Sequence, residues 1–188
     1  MFRIDGARTY MVPFEEHHLV NPRYFDWLTD LEVMRFIGRE EYLRPIRFER
    51  VREYVEGLWA SDCCSFFAVH VLSDERFIGT AKLNYVDQAG LASRTADVGI
   101  MIGDRACWGK GMATDALHAL CQFAFDTLGA RKLTAGAIAG NDAVIRAFRR
   151  IGFAEEGRLR QKVFLAGEYR DHVLLGCLRG ELVAPDGS

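Results

Sequence analysis

The sequence predicts an α+β fold: a mixed, mostly antiparallel sheet with one parallel strand pair, flanked by helices. Three patterns in its 188 residues lead to this prediction. Apolar residues recur every three or four positions before residue 60 and at every second position between residues 65 and 86. A strand, a glycine loop, a helix and another strand follow in the middle of the chain. Two hairpin patterns complete the sheet.

The first part of the chain contains one strand and then amphipathic helices. The strand candidate is Thr9–Phe14. In Asn21–Ile37 large apolar residues recur at helical spacing, and a break is expected near Thr29 and Asp30. A second amphipathic helix is predicted over Arg47–Ala60.

Alternating apolar residues predict the two hairpins. The first joins Ser65–Leu72 to Phe77–Val86 through a short polar turn. The second joins Ala154–Leu165 to Glu168–Leu178. Its turn falls on Ala166 and Gly167, where a glycine favours a tight reversal.

Between the hairpins, a crossover unit predicts the parallel pair. Strand Ala96–Ile102 leads into a glycine loop and a helix over Met112–Leu128, which Gly129 ends. Lys132–Ile138 is nearly continuously apolar, as is typical of a strand buried on both faces. A strand, helix and strand in this order make the two strands parallel. A further helix is predicted from Gly140 or Asn141 to about Arg150.

Size and composition exclude several classes of protein. Residues 1–188 are expected to form one domain, since 49% are hydrophobic and 27% are charged. No apolar run approaches the roughly 20 residues of a membrane span, so we expect a cytoplasmic protein without a membrane partner. A net charge of -2 gives no general attraction to nucleic acid. The five cysteines and five histidines form no metal-ligand pattern, so no metal is expected.

The segment Trp108-Gly-Lys-Gly-Met-Ala-Thr114 predicts an anion site. Glycines at 109 and 111 allow a ligand to approach the backbone closely. The N–H groups and the dipole of the following helix point at the same place, and Lys110 supplies a mobile positive charge. The alternative is a plain tight turn before a helix. The spacing fits neither a Walker loop nor a dinucleotide fingerprint.

Four stretches in this order resemble the GNAT superfamily of acetyl-CoA-dependent N-acetyltransferases, within it the RimJ/RimL-like branch. They are Phe77–Thr80, Ala96–Ile102, Trp108–Thr114 and Asn141–Phe153. The resemblance implies a GNAT-like sheet whose parallel strands splay apart, with acetyl-CoA as cosubstrate. It places the pyrophosphate loop on Trp108, Gly109, Lys110, Gly111, Met112, Ala113 and Thr114. Trp108 departs from the Gln or Arg usual at the first position of that loop.

The resemblance also implies the remaining coenzyme contacts. Pantetheine would bind the strand edge at Ile100, Met101 and Ile102. Asn141 would contact pantetheine with its side chain, although it could equally be only a helix cap. Phe148 and Arg150 lie where coenzyme packing and phosphate contacts are expected.

Asp97 is the catalytic candidate. It lies fourteen residues before Gly111, where some GNAT enzymes carry a Glu that acts as base. A structural ion pair is the other reading of this carboxylate. In the family a general acid protonates the thiolate as it leaves. The resemblance gives no such residue here, because Phe148 replaces the usual Tyr and Val144 stands where RimJ/RimL-type enzymes use a Ser. Water and the substrate's ammonium remain as proton sources, with weaker candidates at Tyr85, Glu168 and Tyr169.

The acceptor is expected to be a primary amine. The segments around 24–36 and 99–104 look most like members that acetylate amino sugars on nucleotide carriers. In that case the diphosphate would meet Arg35, Arg39 and Arg44, which could also be ordinary solvated charges. The alternatives are acetylation of protein N-termini and a non-catalytic acetyl-CoA-binding module. The chain is expected to act as a monomer or a homodimer.

Overall fold

The computed structural model describes residues 2–37, 46–85 and 93–185. Within them the strands form one eight-stranded sheet in the order β1-β2-β3-β4-β5-β6-β8-β7. The strands are β1 Ile4–Asp5, β2 Thr9–Pro13, β3 Cys64–Val71, β4 Phe77–Tyr85, β5 Thr95–Ile102, β6 Lys132–Ile138, β7 Ala154–Leu165 and β8 Glu168–Leu178. Every adjacent pair is antiparallel except β5 and β6. The predicted fold class and the parallel pair are confirmed.

Helices cover both faces of this sheet. The α-helices are α1 Glu16–Leu19, α2 Pro22–Thr29, α3 Leu31–Met34, α4 Phe48–Trp59, α5 Met112–Asp126 and α6 Asp142–Arg150. Helices α5 and α6 pack on one face around Leu117, Leu120 and Phe148. Helices α1 to α4 pack on the other face around an aromatic cluster that includes Trp27 and Phe77.

The predicted break in the first helical segment occurs at Asp30, which separates α2 from α3. Its backbone is extended (φ −78°, ψ 112°), so the helical hydrogen-bond pattern stops there. The Asp30 side chain accepts a hydrogen bond of 2.9 Å from the N–H of Glu32 and starts α3. An Asp at this position favours a helix N-cap over a helix interior.

Two predictions about the elements need correction. The short strand β1 and helix α1 were not expected, because neither is long enough to show a periodic pattern. Strand β6 is not buried on both faces: Leu133 and Ala135 are buried, whereas Thr134 is half-buried and Gly136 is exposed. The open face of β6 borders a cleft.

A carboxylate fastens the start of α5 to the turn between β1 and β2. Asp115 accepts hydrogen bonds from the backbone N–H groups of Ala7, Arg8 and Thr9 and from the Thr9 hydroxyl, at 2.6 to 3.1 Å. Only 7% of Asp115 is exposed. These four charge-assisted bonds satisfy the buried carboxylate and position Arg8 beside the loop that precedes α5.

A chain of hydrogen bonds crosses the buried histidine of α1. The N–H of Glu15 donates to Nδ1 of His18 at 3.0 Å, so His18 carries its proton on Nε2. That nitrogen lies 3.2 Å from Nε2 of His70, whose Nδ1 lies 3.0 Å from the carbonyl oxygen of Glu75. Nε2 of His18 and Nδ1 of His70 therefore donate, and Nδ1 of His18 and Nε2 of His70 accept. With one proton on each ring, both rings are neutral.

Candidate active site

The parallel strands β5 and β6 open into a wedge-shaped cleft. They pair only at Thr95 with Lys132, Ala96 with Leu133 and Asp97 with Thr134. Beyond Asp97, β5 continues to pair with β4, and beyond Thr134, β6 continues to pair with β8. The two strands thus separate after three residues, and each leaves an unpaired edge facing the other.

The register of β4 shows which backbone groups of β5 line the cleft. The N–H of Gly103 donates to the carbonyl of Ile78 at 2.9 Å, next to the Gly79–Ile102 pair. Antiparallel alternation then turns the backbone N–H and C=O groups of Ile100 and Ile102 toward the cleft. The same alternation turns those of Met101 toward β4. Two of the three predicted edge residues therefore present their backbone to the cleft, and Met101 does not.

The glycine loop has the backbone shape that an anion site requires. Gly109 and Gly111 have φ of 71° and 79°, a region that residues with a Cβ rarely adopt. No atom lies within 4 Å of a Cβ built on Gly109, so the space above the loop is open. Helix α5 begins after Gly111 without a side-chain cap. The first-turn N–H groups of Met112, Ala113 and Thr114 have no acceptor within the helix and can bind phosphate oxygens.

Trp108 and Arg8 complete the wall around this loop. The indole Nε1 of Trp108 donates to the carbonyl of Ile102 at 2.8 Å, which fastens the loop to the end of β5. The Arg8 guanidinium donates to the carbonyl of Lys110 at 3.0 Å and lies 3.6 Å from a Cβ built on Gly111. Sequence reasoning missed Arg8 because it precedes the loop by about 100 residues.

The predicted contacts on α6 divide between surface and core. Asn141 stands at the N-cap of α6 but makes no capping hydrogen bond with its side chain, so its amide is free to bind a ligand. Arg150 is exposed and forms no ion pair within the described residues, whereas Arg149 pairs with Glu155 at 2.8 Å. Phe148 is 2% exposed and packs against Phe153, so its ring belongs to the core and not to the cleft surface.

Asp97 lies at the apex, where the strands separate. Thr134 Oγ1 donates a hydrogen bond of 3.2 Å to Oδ2 of Asp97. Burial raises the pKa of Asp97, and the Thr134 hydrogen bond and the positive charges of Lys82 and His172 act in the opposite direction. Because burial dominates, this carboxylate holds a proton more readily than an exposed aspartate does.

A cavity of about 490 Å³ lies against Asp97. Strands β3 to β6 and the end of α4 line it with Gly57, Leu58, Ser61, Cys63, Cys64, Asn84, Tyr85, Asp97 and Thr134. The neutral polar groups of this wall are hydrogen-bond donors and acceptors, and among the lining residues that the structure describes Asp97 is the one charged residue. The cavity can therefore accommodate a polar amine next to the cleft apex.

The comparisons with known proteins agree with this geometry. Residues 8–154 match the family model described as acetyltransferase (GNAT) domain. The chain belongs to the GNAT acetyltransferase family. It is an N-acetyltransferase of the GNAT type that uses acetyl-CoA as cosubstrate. The sequence is 33% identical over 130 residues to the probable N-acetyltransferase YjcK of Bacillus subtilis, an alignment that covers 69% of this chain and 70% of that protein.

Solved GNAT structures share the fold. The spermidine N-acetyltransferase of Vibrio cholerae, in complex with CoA and spermine, superposes with a TM-score of 0.80 at 20% identity, over 92% of this chain and 96% of that one. The ribosomal L7/L12 alpha-N-protein acetyltransferase RimL, in complex with coenzyme A, gives a TM-score of 0.80 at 17% identity, over 94% and 98% of the two chains. At these identities the superpositions describe the fold alone.

Other candidates for chemistry in this GNAT chain are placed away from the cleft or are unsuited to it. Cys107 beside the loop is buried, and burial together with Asp104 raises the pKa of its thiol, which disfavours a nucleophilic thiolate. Tyr169 is exposed, and its ring lies tilted against Phe164 with the centroids 5.0 Å apart. Tyr85 is the exception, because it lines the cavity. Across residues 2–37, 46–85 and 93–185, no group of His, Cys, Asp and Glu has a metal-holding arrangement. In the same residues no helix is long and apolar enough to cross a membrane.

Proposed function

We propose that this GNAT enzyme acetylates the primary amine of a compact, hydroxyl-rich acceptor, an amino sugar on a nucleotide carrier. The observation that carries the proposal is the lining of the cavity at Asp97. The carboxylate of Asp97 can form an ion pair with one ammonium group, and the neutral polar groups around it can form hydrogen bonds with hydroxyls. Ser61, Asn84, Tyr85 and Thr134 supply both donors and acceptors for such an acceptor.

The mouth of the cleft carries the positive charge that a nucleotide diphosphate needs. A Cβ built on Gly140, at the turn between β6 and α6, would lie 3.6 Å from the ring of Phe36 and 3.3 Å from Nη1 of Arg170. The Arg35 guanidinium lies over the Phe36 ring at 5.2 Å. Arg35 and Arg170, which pairs with Glu168 at 2.8 Å, thus lie beside the turn after β6, and the proposal places the carrier's diphosphate there. Arg39 and Arg44, which were also expected there, lie outside the described residues.

In this proposal the coenzyme, the acceptor amine and the developing negative charge on the carbonyl oxygen each have a residue or backbone group to support them. The loop Trp108–Thr114 holds the pyrophosphate with its N–H groups, and Arg8 adds charge beside it. The cleft edge at Ile100 and Ile102 hydrogen-bonds the pantetheine arm, and Asn141 binds it from the other side. Asp97 binds the acceptor's ammonium and takes one proton from it, which leaves a neutral nucleophile. An unpaired N–H of β5 stabilises the carbonyl oxygen as it gains charge.

Two other acceptor classes come from the neighbours. The Vibrio cholerae structure holds spermine, a polyamine with several charges, whereas the described residues that line the cavity of this chain include one carboxylate. RimL acts on a protein N-terminus, which requires a groove for an extended peptide. A protein N-terminus is the second candidate. The third reading is a module that binds acetyl-CoA without turnover.

The first test is thermal unfolding with and without acetyl-CoA, beside desulfo-CoA and ATP. A ligand that binds only the folded state stabilises it by RT ln(1 + [L]/Kd), about 2.7 kcal/mol at 100 Kd. We expect a selective rise in Tm that Gly111→Glu abolishes, because the new carboxylate occupies the anion site and the residue cannot easily adopt the required φ. The absence of a shift at millimolar acetyl-CoA would contradict the assigned coenzyme site.

The second test compares acceptors by release of the CoA thiol. We expect amino-sugar nucleotides to give a higher kcat/KM than free amino sugars, N-terminal peptides or spermidine. Asp97→Asn should lower kcat/KM by about 100-fold, as expected for loss of a general base. The matched control is Asp26→Asn, which changes an exposed aspartate on α2. Turnover of peptides alone would replace the amino-sugar proposal, and binding of acetyl-CoA without any turnover would favour the non-catalytic module.

A further inference from the structure

A glycine in the open part of the cleft makes room for a histidine ring. Gly136 is exposed on β6, two residues beyond the last pair with β5. A Cβ built on Gly136 would lie 2.4 Å from Cε1 and 2.8 Å from Nε2 of His172. The three atoms nearest to that position all belong to this imidazole. The ring therefore occupies the place of a side chain at position 136.

Strand alternation puts this ring on the side of the sheet that holds the acceptor cavity. On β6 the buried residues Leu133 and Ala135 face α5, so Thr134 and Gly136 face the other side. On β8 Val173 is buried in the α5 cluster, so His172 also faces the other side. His172 pairs with Ile138 in register, and its ring leans back over Gly136 toward Thr134.

The ring is also close enough to the apex to act on Asp97. A positive charge on His172 lowers the pKa of Asp97, as Lys82 does. Thr134, the neighbour of Gly136 on the same face, donates to Asp97 and lines the cavity. Asp97, Thr134, Gly136 and His172 therefore form a continuous row from the apex into the open cleft.

The reaction needs a proton carrier that positions 144 and 148 do not supply. Acetyl transfer releases a thiolate that must be protonated, and the acceptor nitrogen must lose a second proton after it attacks. Phe148 has no hydroxyl and is buried, and Val144 has no polar atom. An imidazole can both accept and donate a proton near neutral pH.

We propose that His172 is a catalytic residue of this transferase, carrying the proton from the acceptor nitrogen to the departing CoA sulfur. The inference rests on the proposed function, since it needs an amine acceptor in the cavity at Asp97. The ammonium first loses one proton to Asp97 and from there to solvent. The nitrogen lone pair then forms the C–N bond to the acetyl carbon, and the C–S electron pair leaves with sulfur. Nε2 of His172 takes the second N–H proton and returns it to that sulfur, so CoA leaves as the thiol.

The contact between Gly136 and His172 provides a specific test. His172→Ala should lower kcat/KM by about 100-fold or more, in the range of general acid–base catalysis, and added imidazole should restore part of the loss. Gly136→Ala should lower kcat/KM at least 10-fold, because its methyl group displaces the ring. In the His172→Ala background the same Gly136→Ala change should have no further effect, because the clash is gone. His17→Ala, which removes an exposed histidine, is the matched control and should leave kcat/KM unchanged.

Acetyl-CoA should raise Tm by the same amount in all of these variants. This control separates a loss of chemistry from a loss of folding or of coenzyme binding. Full activity of His172→Ala would overturn the role of His172 and leave the proposed function in place. Equal losses from Gly136→Ala in both backgrounds, or a lack of rescue by imidazole, would also overturn it. A wild-type protein that binds acetyl-CoA and acetylates no amine would overturn the proposed function and the proton transfer together.

Discussion

Acidification should destabilise this protein through His18, well above the pH at which most carboxylates titrate. His18 is 2% exposed, and its pKa is lowered from 6.5 to about 3, mainly by burial and then by the charges of His17 and His70. Burial also lowers the pKa of His70. The hydrogen-bond chain explains why. A second proton on His18 would face the N–H of Glu15 at the 3.0 Å contact, and a second proton on His70 would face the N–H of His18 at the 3.2 Å contact.

The size of the effect follows from linkage between protonation and folding. Between pH 3 and 6.5 the unfolded chain binds a proton at His18 that the folded chain does not, so stability falls as the pH decreases through this range. Lowering the pH from about 8 to about 5 should cost about 2 kcal/mol from His18 alone. For a chain of this length that corresponds to a fall in Tm of about 4 to 8 °C.

The assay is urea unfolding at a series of pH values for the wild type and for His18→Gln, which cannot titrate. We expect the free energy of unfolding of the wild type to fall by about 2 kcal/mol more than that of the variant over this range. His17→Gln changes an exposed neighbour and should follow the wild type. Parallel curves for wild type and His18→Gln would refute the assignment of a neutral buried pair.

Three further predictions concern single substitutions. Arg8→Ala should weaken acetyl-CoA binding several-fold and reduce its salt dependence, measured by titration calorimetry against Arg23→Ala, because it removes a cation beside the phosphate loop. Phe148→Tyr should lower the free energy of unfolding by about 1 to 3 kcal/mol without raising kcat, since the hydroxyl would be buried in the core; a gain in kcat would contradict this placement. Gly103→Ala should destabilise the fold by about 1 to 3 kcal/mol in urea unfolding, because a Cβ there would lie 2.1 Å from the Trp27 ring; unchanged stability would contradict that contact.

Much of the fold was predictable because its long elements carry strong local signals. Strands β6 to β8 begin and end at the predicted residues, since alternation and the glycine turn at residues 166–167 define them. The backbone shape of the glycine loop was predictable for the same reason: Gly109 and Gly111 indicate positive φ values within a short window. Its use for acetyl-CoA came from resemblance and not from spacing.

The rest depends on contacts between distant parts of the chain. Arg8 reaches the loop through Asp115, and His172 reaches the cleft because Gly136 lacks a side chain. Neither relation leaves a periodic pattern in the sequence. Phe148 was expected beside the coenzyme because its position was taken from the family motif, whereas the buried face of α6 carries it into the core.

The splay between β5 and β6 also determines what can enter the sheet. Its two free edges diverge from the Asp97–Thr134 pair, so an inserted strand cannot keep the ladder spacing of about 4.8 Å to both edges along its length. A peptide strand, with side chains above and below its backbone, cannot fill such a wedge. A narrow arm that carries amide groups and no side chains can. The same divergence therefore protects exposed backbone in the middle of the sheet from pairing with another chain and nucleating aggregation.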